Sequence, residues 1–260
     1  MILTEPFQAE QGRMQQPTNQ QNTMQNYCKT IGALAAASAL AAGNATAIEI
    51  DYELGTGYTS EYIWRGINLG QDLVEVGLDA STEINGFGLS AGAWYGSFAQ
   101  GGDNFDELDL YGEVSYDLGY FEAAVGYIYY YFPRADFNAS EVPLSVRRDF
   151  GLVAADLTYF WDVNEDNDGY TQLTLSNQTE LSSCLTLSSG LAVGYLAERG
   201  QFSNITLKAA LDYALTETAT VSPFVGYSWA LTENAGHGGT MIYEESKNQL
   251  FGGVALAVSF

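Results

Sequence analysis

The sequence has 260 residues, with only 9 Lys+Arg against 32 Asp+Glu and a formal net charge of −23. That balance excludes nucleic acid and anionic membrane surfaces as partners, since both are bound through basic patches, and makes cations the natural counter-species. Hydrophobic residues reach 47%, with 28 Gly, 18 Tyr and 13 Phe against 5 Pro, yet past the leader no run approaches the roughly 18 apolar residues of a transmembrane helix, so only a barrel could span a bilayer.

Residues 1–23 are polar and Gln-rich, and precede Met24-Gln-Asn-Tyr-Cys-Lys29, an Ala/Leu-rich run from Ile31 to Ala42, and Ala45-Thr46-Ala47. The pattern predicts a signal peptide over 24–47 with a small-residue cleavage site, and residues 1–23 as a start-site artefact or disordered tail. An N-terminal anchor is the alternative, but the apolar stretch is short for one. Cleavage would remove Cys28 and leave Cys184 alone, without a disulfide partner. It would also remove Arg13 and Lys29 with Glu5 and Glu10, leaving the net charge at −23.

Residues 48–260 alternate with period two. In a first strand Ile48, Ile50, Tyr52, Leu54 and Tyr58 alternate with Glu49, Asp51, Glu53, Gly55 and Gly57. A polar loop over Asn68 to Asp72 leads to a second, where Val74, Val76, Leu78, Ala80 and Ile84 oppose Glu75, Gly77, Asp79, Ser81 and Glu83. Asn85-Gly86 is a two-residue hairpin turn. A third strand runs from Phe87 to about Phe98, a Gly/Asp loop spans Gln100 to Asp106, and fourth and fifth strands (Leu108 to Leu118, Phe121 to Tyr131) flank Gly119-Tyr120. Glu141 to Arg148 is the weakest stretch, a short sixth strand interrupted by Pro143. Strands over about Leu152 to Asp162, Tyr170 to Leu181, Cys184 to Ala197, Ser203 to Ala214 and Ala219 to Leu231 follow. A Gly-rich loop carrying His237 leads to the last, Asn248 to Phe260, apolar on Leu250, Val254, Leu256, Val258 and Phe260 and small on Gly253, Ala255, Ala257 and Ser259.

The expected fold is all-β: a single antiparallel up-and-down transmembrane β-barrel of about 12 strands, with short periplasmic turns, long outer loops and both termini periplasmic. Aromatics on the apolar parity decide between lipid and a soluble core. Tyr58, Tyr62, Trp64, Tyr95, Tyr127, Tyr129, Tyr131, Tyr159, Trp161, Tyr195, Tyr227 and Trp229 lie toward the long loops; Tyr52, Phe87, Tyr116, Phe121, Tyr213 and Phe260 lie toward the short turns. Two girdles bracketing an aliphatic band mark a bacterial outer-membrane barrel, with outer-membrane lipid around it and the barrel-assembly machinery engaging the strand that ends at Phe260. A secreted soluble β-barrel or sandwich is the alternative, the acids then being a solvated face.

Tyr58 to Gly66, Tyr-Thr-Ser-Glu-Tyr-Ile-Trp-Arg-Gly, resembles the Ser-x-Tyr-x-x-Arg-Gly signature of the TorF-type porins, outer-membrane proteins of poorly defined function. Gly86 to Trp94 and Glu107 to Gly112 match the segments that follow in that family, while Glu61 replaces the residue usually before the Tyr. The resemblance covers roughly Ile48 to Tyr120 and implies a porin-like barrel, not a reaction.

The inward parity carries Glu49, Asp51, Glu53, Glu75, Asp79, Glu83, Asp109, Glu113, Asp117, Glu122, Asp156 and Asp212, opposed mainly by Lys208 and Arg65, with Glu61 beside Arg65 at the outer mouth. Carboxylates this dense need water, which points to a diffusion channel for small solutes, weakly cation-preferring. The acids could equally be solvated wall, and a closed structural or adhesive barrel is the other class. Inward Trp94, Tyr111, Tyr130, Phe132, Phe160, Phe224 and Phe251 read as filler more readily than as a solute track. Arg65 reads as a structural cross-barrel contact, or as an anchor for an anionic group of a solute. Asn164, Asp166 and Asp168 have calcium-loop spacing, but the twelfth position is Leu175 instead of a bidentate Glu. No cofactor motif occurs, and the sole histidine, His237, sits in a Gly-rich loop, so no catalytic Ser–His pair on rigid strands is expected.

Overall fold

The computed structural model describes residues 49–232 and 247–260; the expected leader and His237 lie outside the described residues. The strands are β1 (Asp51–Trp64), β2 (Ile67–Ile84), β3 (Phe87–Gln100), β4 (Asp103–Asp117), β5 (Glu122–Phe132), β6 (Phe137–Asp149), β7 (Ala154–Asp162), β8 (Tyr170–Ser182), β9 (Leu185–Leu196), β10 (Gln201–Ala214), β11 (Ala219–Ala230) and β12 (Gln249–Ser259). Each pairs antiparallel with its chain neighbours, and β1 with β12 closes the barrel.

The seam runs from Glu53 opposite Ser259 to Thr59 opposite Gly253, extended by two 3.0 Å hydrogen bonds between the backbones of Tyr52 and Phe260. Gly253 is required there, because a Cβ would overlap the Tyr58 carbonyl oxygen.

Alternation sends one parity of every strand outward. Val74, Leu110, Val125, Leu157, Leu207 and Val225 are among the exposed aliphatics that form a band around the wall. At the turn end the aromatics pair across strands, Tyr52 stacking on Phe260 at 5.9 Å and Phe87 meeting Tyr116 at 4.9 Å between centroids. At the other end Tyr58, Tyr95, Tyr127, Trp161 and Trp229 are exposed.

The turns follow backbone chemistry. Asn85-Gly86 has φ of 54° and 82°, the left-handed pair of a type I′ hairpin. Several expected loops are strand instead: Asn68 to Asp72 belongs to β2, and the loop over Gln100 to Asp106 contracts to Gly101-Gly102 with φ of 59° and 95°. Glu141 to Arg148 is the middle of β6, and Pro143 is accommodated by a gap in one ladder. Pairing of β5 with β6 skips from Val125–Leu144 to Ile128–Glu141, while on the other side Pro143 sits opposite Phe160; proline, lacking an N–H, is tolerated where a ladder bond is missing.

Candidate functional site

Beyond Thr59, β1 no longer pairs with β12 but stays with β2 as far as Trp64 opposite Ile67. The Arg65-Gly66 turn, with φ of 50° and 81°, is again of the I′ kind. Residues on both parities of this tip are buried: Tyr62, Ile63, Trp64, Arg65, Ile67 and Leu69. A strand pair apolar on both faces has no stable place on a wall with one polar side. It folds into the lumen.

The contacts show how far it reaches. In the twelve-strand order β7 lies diametrically opposite β1, yet the Arg65 guanidinium lies 4.4 Å from the ring centroids of Phe160 on β7 and Tyr170 on β8, and 4.5 Å from Trp64. It donates to Glu141 on β6 through Nη1 to Oε1 at 2.8 Å and Nη2 to Oε2 at 2.7 Å. The Arg65 carbonyl accepts from Ser203 Oγ on β10 at 3.4 Å, and a Cβ on Gly66 would stand 2.5 Å from Asn204 Cβ. Tyr62 donates to Glu107 on β4 at 2.7 Å and meets Phe98 at 5.1 Å and Trp94 at 6.0 Å on β3, while Trp64 meets Tyr130 on β5 at 6.3 Å. The loop-side half of the barrel is thereby closed by a layer of rings and one fork-to-fork ion pair. Such a pair is stable because both carboxylate oxygens and both terminal nitrogens are engaged and rings cover the guanidinium.

The turn-side half stays open. A cavity of about 70 Å³ lies against the seam, its walls small at Gly55, Gly77, Ala210, Ala255 and Ala257. Glu75, Asp79, Trp94, Lys208 and Phe224 also line it. Trp94 Nε1 donates to Glu75 at 2.7 Å and Tyr111 Oη to Asp79 at 2.5 Å, so rings from β3 and β4 orient both carboxylates; Lys208 Nζ stands 4.0 Å from the Phe224 centroid. Nearer the turns Arg147 gathers Glu113 at 2.6 Å, Glu122 at 3.2 Å and Asp156 at 2.7 Å. Asp212 accepts from Ser188, Glu53 accepts from Ser259 at 3.2 Å, and Asp51 is exposed at the end of the wall. Acid thus exceeds base throughout the open half.

Four sequence-predicted lumen residues are placed otherwise. Glu49 precedes β1 and is exposed at the rim, its carbonyl accepting from Thr82. Glu61 is not on the lumen face. Alternation breaks between Thr59 and Tyr62, both buried although three residues apart, where Ser60 Oγ accepts from Gly252 N and Asp72 takes φ of 54°. Glu61 therefore pairs with exposed Gln71 and accepts from Asn68 at 2.7 Å and Gln71 at 3.3 Å. Arg65 sits mid-lumen, not at the mouth, and Asp109, 2% exposed, is sealed in the closed layer instead of lining a path. The same break takes Tyr62 and Trp64 out of the outer girdle. The acidic loop does not converge on a cation: Asn164 accepts from Ser140 N at 2.7 Å, Asp166 from Asp168 N at 2.8 Å, and the Asp168 carboxylate meets Arg199 at 2.6 Å.

Three residues that matter carried little sequence signal. Glu141 lay in the weakest stretch, Glu107 between an expected loop and the fourth strand, and Asn167 between the suspected calcium ligands. Asn167 turns inward, its Nδ2 donating to Glu141 at 2.6 Å and to the Phe160 carbonyl at 2.9 Å while its Oδ1 accepts from Gly169 N and Tyr170 N. The available clue was Tyr62-Ile63-Trp64 and Ile67, Leu69 around Arg-Gly, apolar on both parities on both arms of the hairpin.

A family of bacterial proteins of unknown function, Gcw_chp, has a model that matches residues 41–244. Among solved structures the chain is similar to a KdgM porin at 14% identity, covering 81% of this chain and 99% of that one, with a TM-score of 0.47. It is also similar to the COG4313 outer membrane channel from Pseudomonas putida F1 (11% identity, 85% and 100% covered, TM-score 0.48). A third is the Salmonella typhi outer membrane phospholipase dimer with bound calcium (16% identity, 84% and 94% covered, TM-score 0.47). No curated protein matches the sequence.

Proposed function

The chain belongs to the Gcw_chp family of bacterial proteins of unknown function, and we propose that it is a porin-like barrel of the outer membrane whose acidic lumen passes small cations when the β1–β2 tip leaves it. The observation that carries this reading is the division of faces around a closed barrel. Outward side chains such as Val74 (56% exposed), Val225 (54%) and Leu157 (50%) form a belt between two aromatic rims, far more contiguous apolar surface than the few hundred Å² a soluble monomer exposes. Lipid is the solvent that fits it. In this reading residues 24–47 direct export, both termini and the open acidic half face the periplasm, and the tip fills the half of the lumen toward the cell exterior. On the same reading the barrel transports and carries out no reaction. The likeness of Tyr58 to Gly66 to the TorF-type signature fits the same assignment, since those residues build the tip.

Carboxylates in the open half favour cations over anions. Planar-bilayer recording tests the proposal: the refolded wild-type protein is expected to be mostly silent, and the Arg65→Ala/Glu141→Ala double variant, which unlatches the tip without stranding a charge, to show frequent openings with a cation-selective reversal potential in a salt gradient. Anion preference, or silence in the double variant with the barrel intact, would overturn it. Silence would leave the closed structural or adhesive barrel, the reading that the filled loop-side half favours.

A further inference from the structure

The surroundings of Arg65 divide into two parts. Arg65 and Trp64 come with the tip. Everything else that holds the guanidinium belongs to the far wall: Glu141 in the fork geometry, Tyr130 donating to Glu141 Oε2 at 2.9 Å, Asn167 donating to Oε1 at 2.6 Å, and the Phe160 and Tyr170 rings at 4.4 Å. Glu141 is 4% exposed, and Phe160 and Tyr170 are fully buried. A carboxylate oriented by two neutral donors and flanked by aromatic faces is a complete receptor for a planar cation: the fork reads two parallel N–H groups, and the rings read the delocalised charge. A compact ammonium can approach one oxygen or one ring, but it has neither the parallel donors nor the plane to engage the fork and both rings together.

We infer that Glu141, Tyr130, Phe160, Asn167 and Tyr170 form a binding site for guanidinium-bearing solutes, occupied by the protein's own Arg65 when the lumen is closed. Arg65 is an internal ligand, and a solute that presents the same group competes with it for Glu141. The role of this site in solute selection rests on the channel reading above; the binding itself does not.

Methylguanidinium chloride is the probe, with sodium and methylammonium chloride at equal ionic strength as controls, and thermal unfolding of the refolded barrel and tryptophan fluorescence as readouts. The Arg65→Ala variant is expected to unfold at a lower temperature than wild type and to recover saturably with methylguanidinium, with half-saturation on the order of 1–10 mM, the range of a single small-ion contact. Wild type, its site filled, shows no such recovery, and neither does Arg65→Ala/Glu141→Gln. If Arg65→Ala does not refold, Arg65→Gln takes its place, since its amide still donates to Glu141 while leaving the charge unmet. Equal recovery with methylammonium or sodium, equal recovery in the Glu141→Gln background, or no recovery in a folded single variant overturns the assignment. None of these readouts needs conductance, so a silent barrel that binds methylguanidinium defeats only the channel reading.

Discussion

Truncating Glu141 to alanine while Arg65 stays in place is expected to lower the unfolding free energy of the refolded barrel by about 3–5 kcal/mol, the cost of leaving a buried charge without its partner. Arg65 cannot escape to water. Its neighbours on the far wall are rings, its carbonyl is held by Ser203, and Gly66 is fitted against Asn204 with no room for a Cβ. Either the guanidinium remains desolvated against Phe160 and Tyr170, or the whole tip is expelled with Tyr62, Trp64 and Ile67. Removing both partners strands no charge, so the double variant should lose less than the two single losses together, with a coupling of about 1–3 kcal/mol. Urea titrations of the wild type, both single variants and the double variant in detergent measure this directly. Additive losses would mean that the pair is bystander to a tip held by its aromatic contacts alone.

The second large effect is expected at the seam. Gly253→Val should prevent closure, at a cost of about 4 kcal/mol or more, because the new side chain collides with the Tyr58 carbonyl, a backbone atom fixed by the β1–β12 ladder. The chain can accommodate it only by parting β1 from β12 where the two strands already begin to diverge. Gly77→Ala is the control: a Cβ there meets its nearest neighbours at 3.7 Å, an ordinary contact. Heat-modifiable mobility on gels separates closed barrel from open chain, and the folded band should be lost in the first variant and kept in the second. A folded Gly253→Val barrel would show that the seam has slack the geometry does not suggest.

Twelve strands, their order and nearly every facing were legible because a wall with one polar and one apolar side imposes strict alternation, and a slip of one residue would invert it. Asn85-Gly86 pinned one register and the small face of β12 another. Alternation fails where a strand stops being wall, and that is where the facing of Glu61, Tyr62 and Trp64 was misread; Arg65 makes the cross-barrel contact with a wall carboxylate that its parity suggested, but from mid-lumen instead of the mouth. The break at Ser60 and Asp72 is set by one side-chain-to-backbone hydrogen bond and one left-handed residue, neither of which leaves a mark on a hydropathy pattern. Glu107 and Asn167 were missed for a related reason: polar residues near a turn look like loop, and only the incoming tip gives Glu107 a buried partner in Tyr62 and gives Asn167 a Glu141 worth orienting.

The span of the latch in the chain bears on how the molecule is assembled. Arg65 is joined to Glu141 across 76 residues and to Ser203 across 138, so although Tyr62 meets its partners on β3 and β4 early, the Arg65 end of the tip has no partner until the opposite wall exists. Bringing such distant segments together costs chain entropy that is recovered only when the contacts form together. Seating of the tip is therefore expected to come late, after β6 to β10 have paired. Every newly made barrel would pass through an interval in which its wall is complete and its interior still unobstructed.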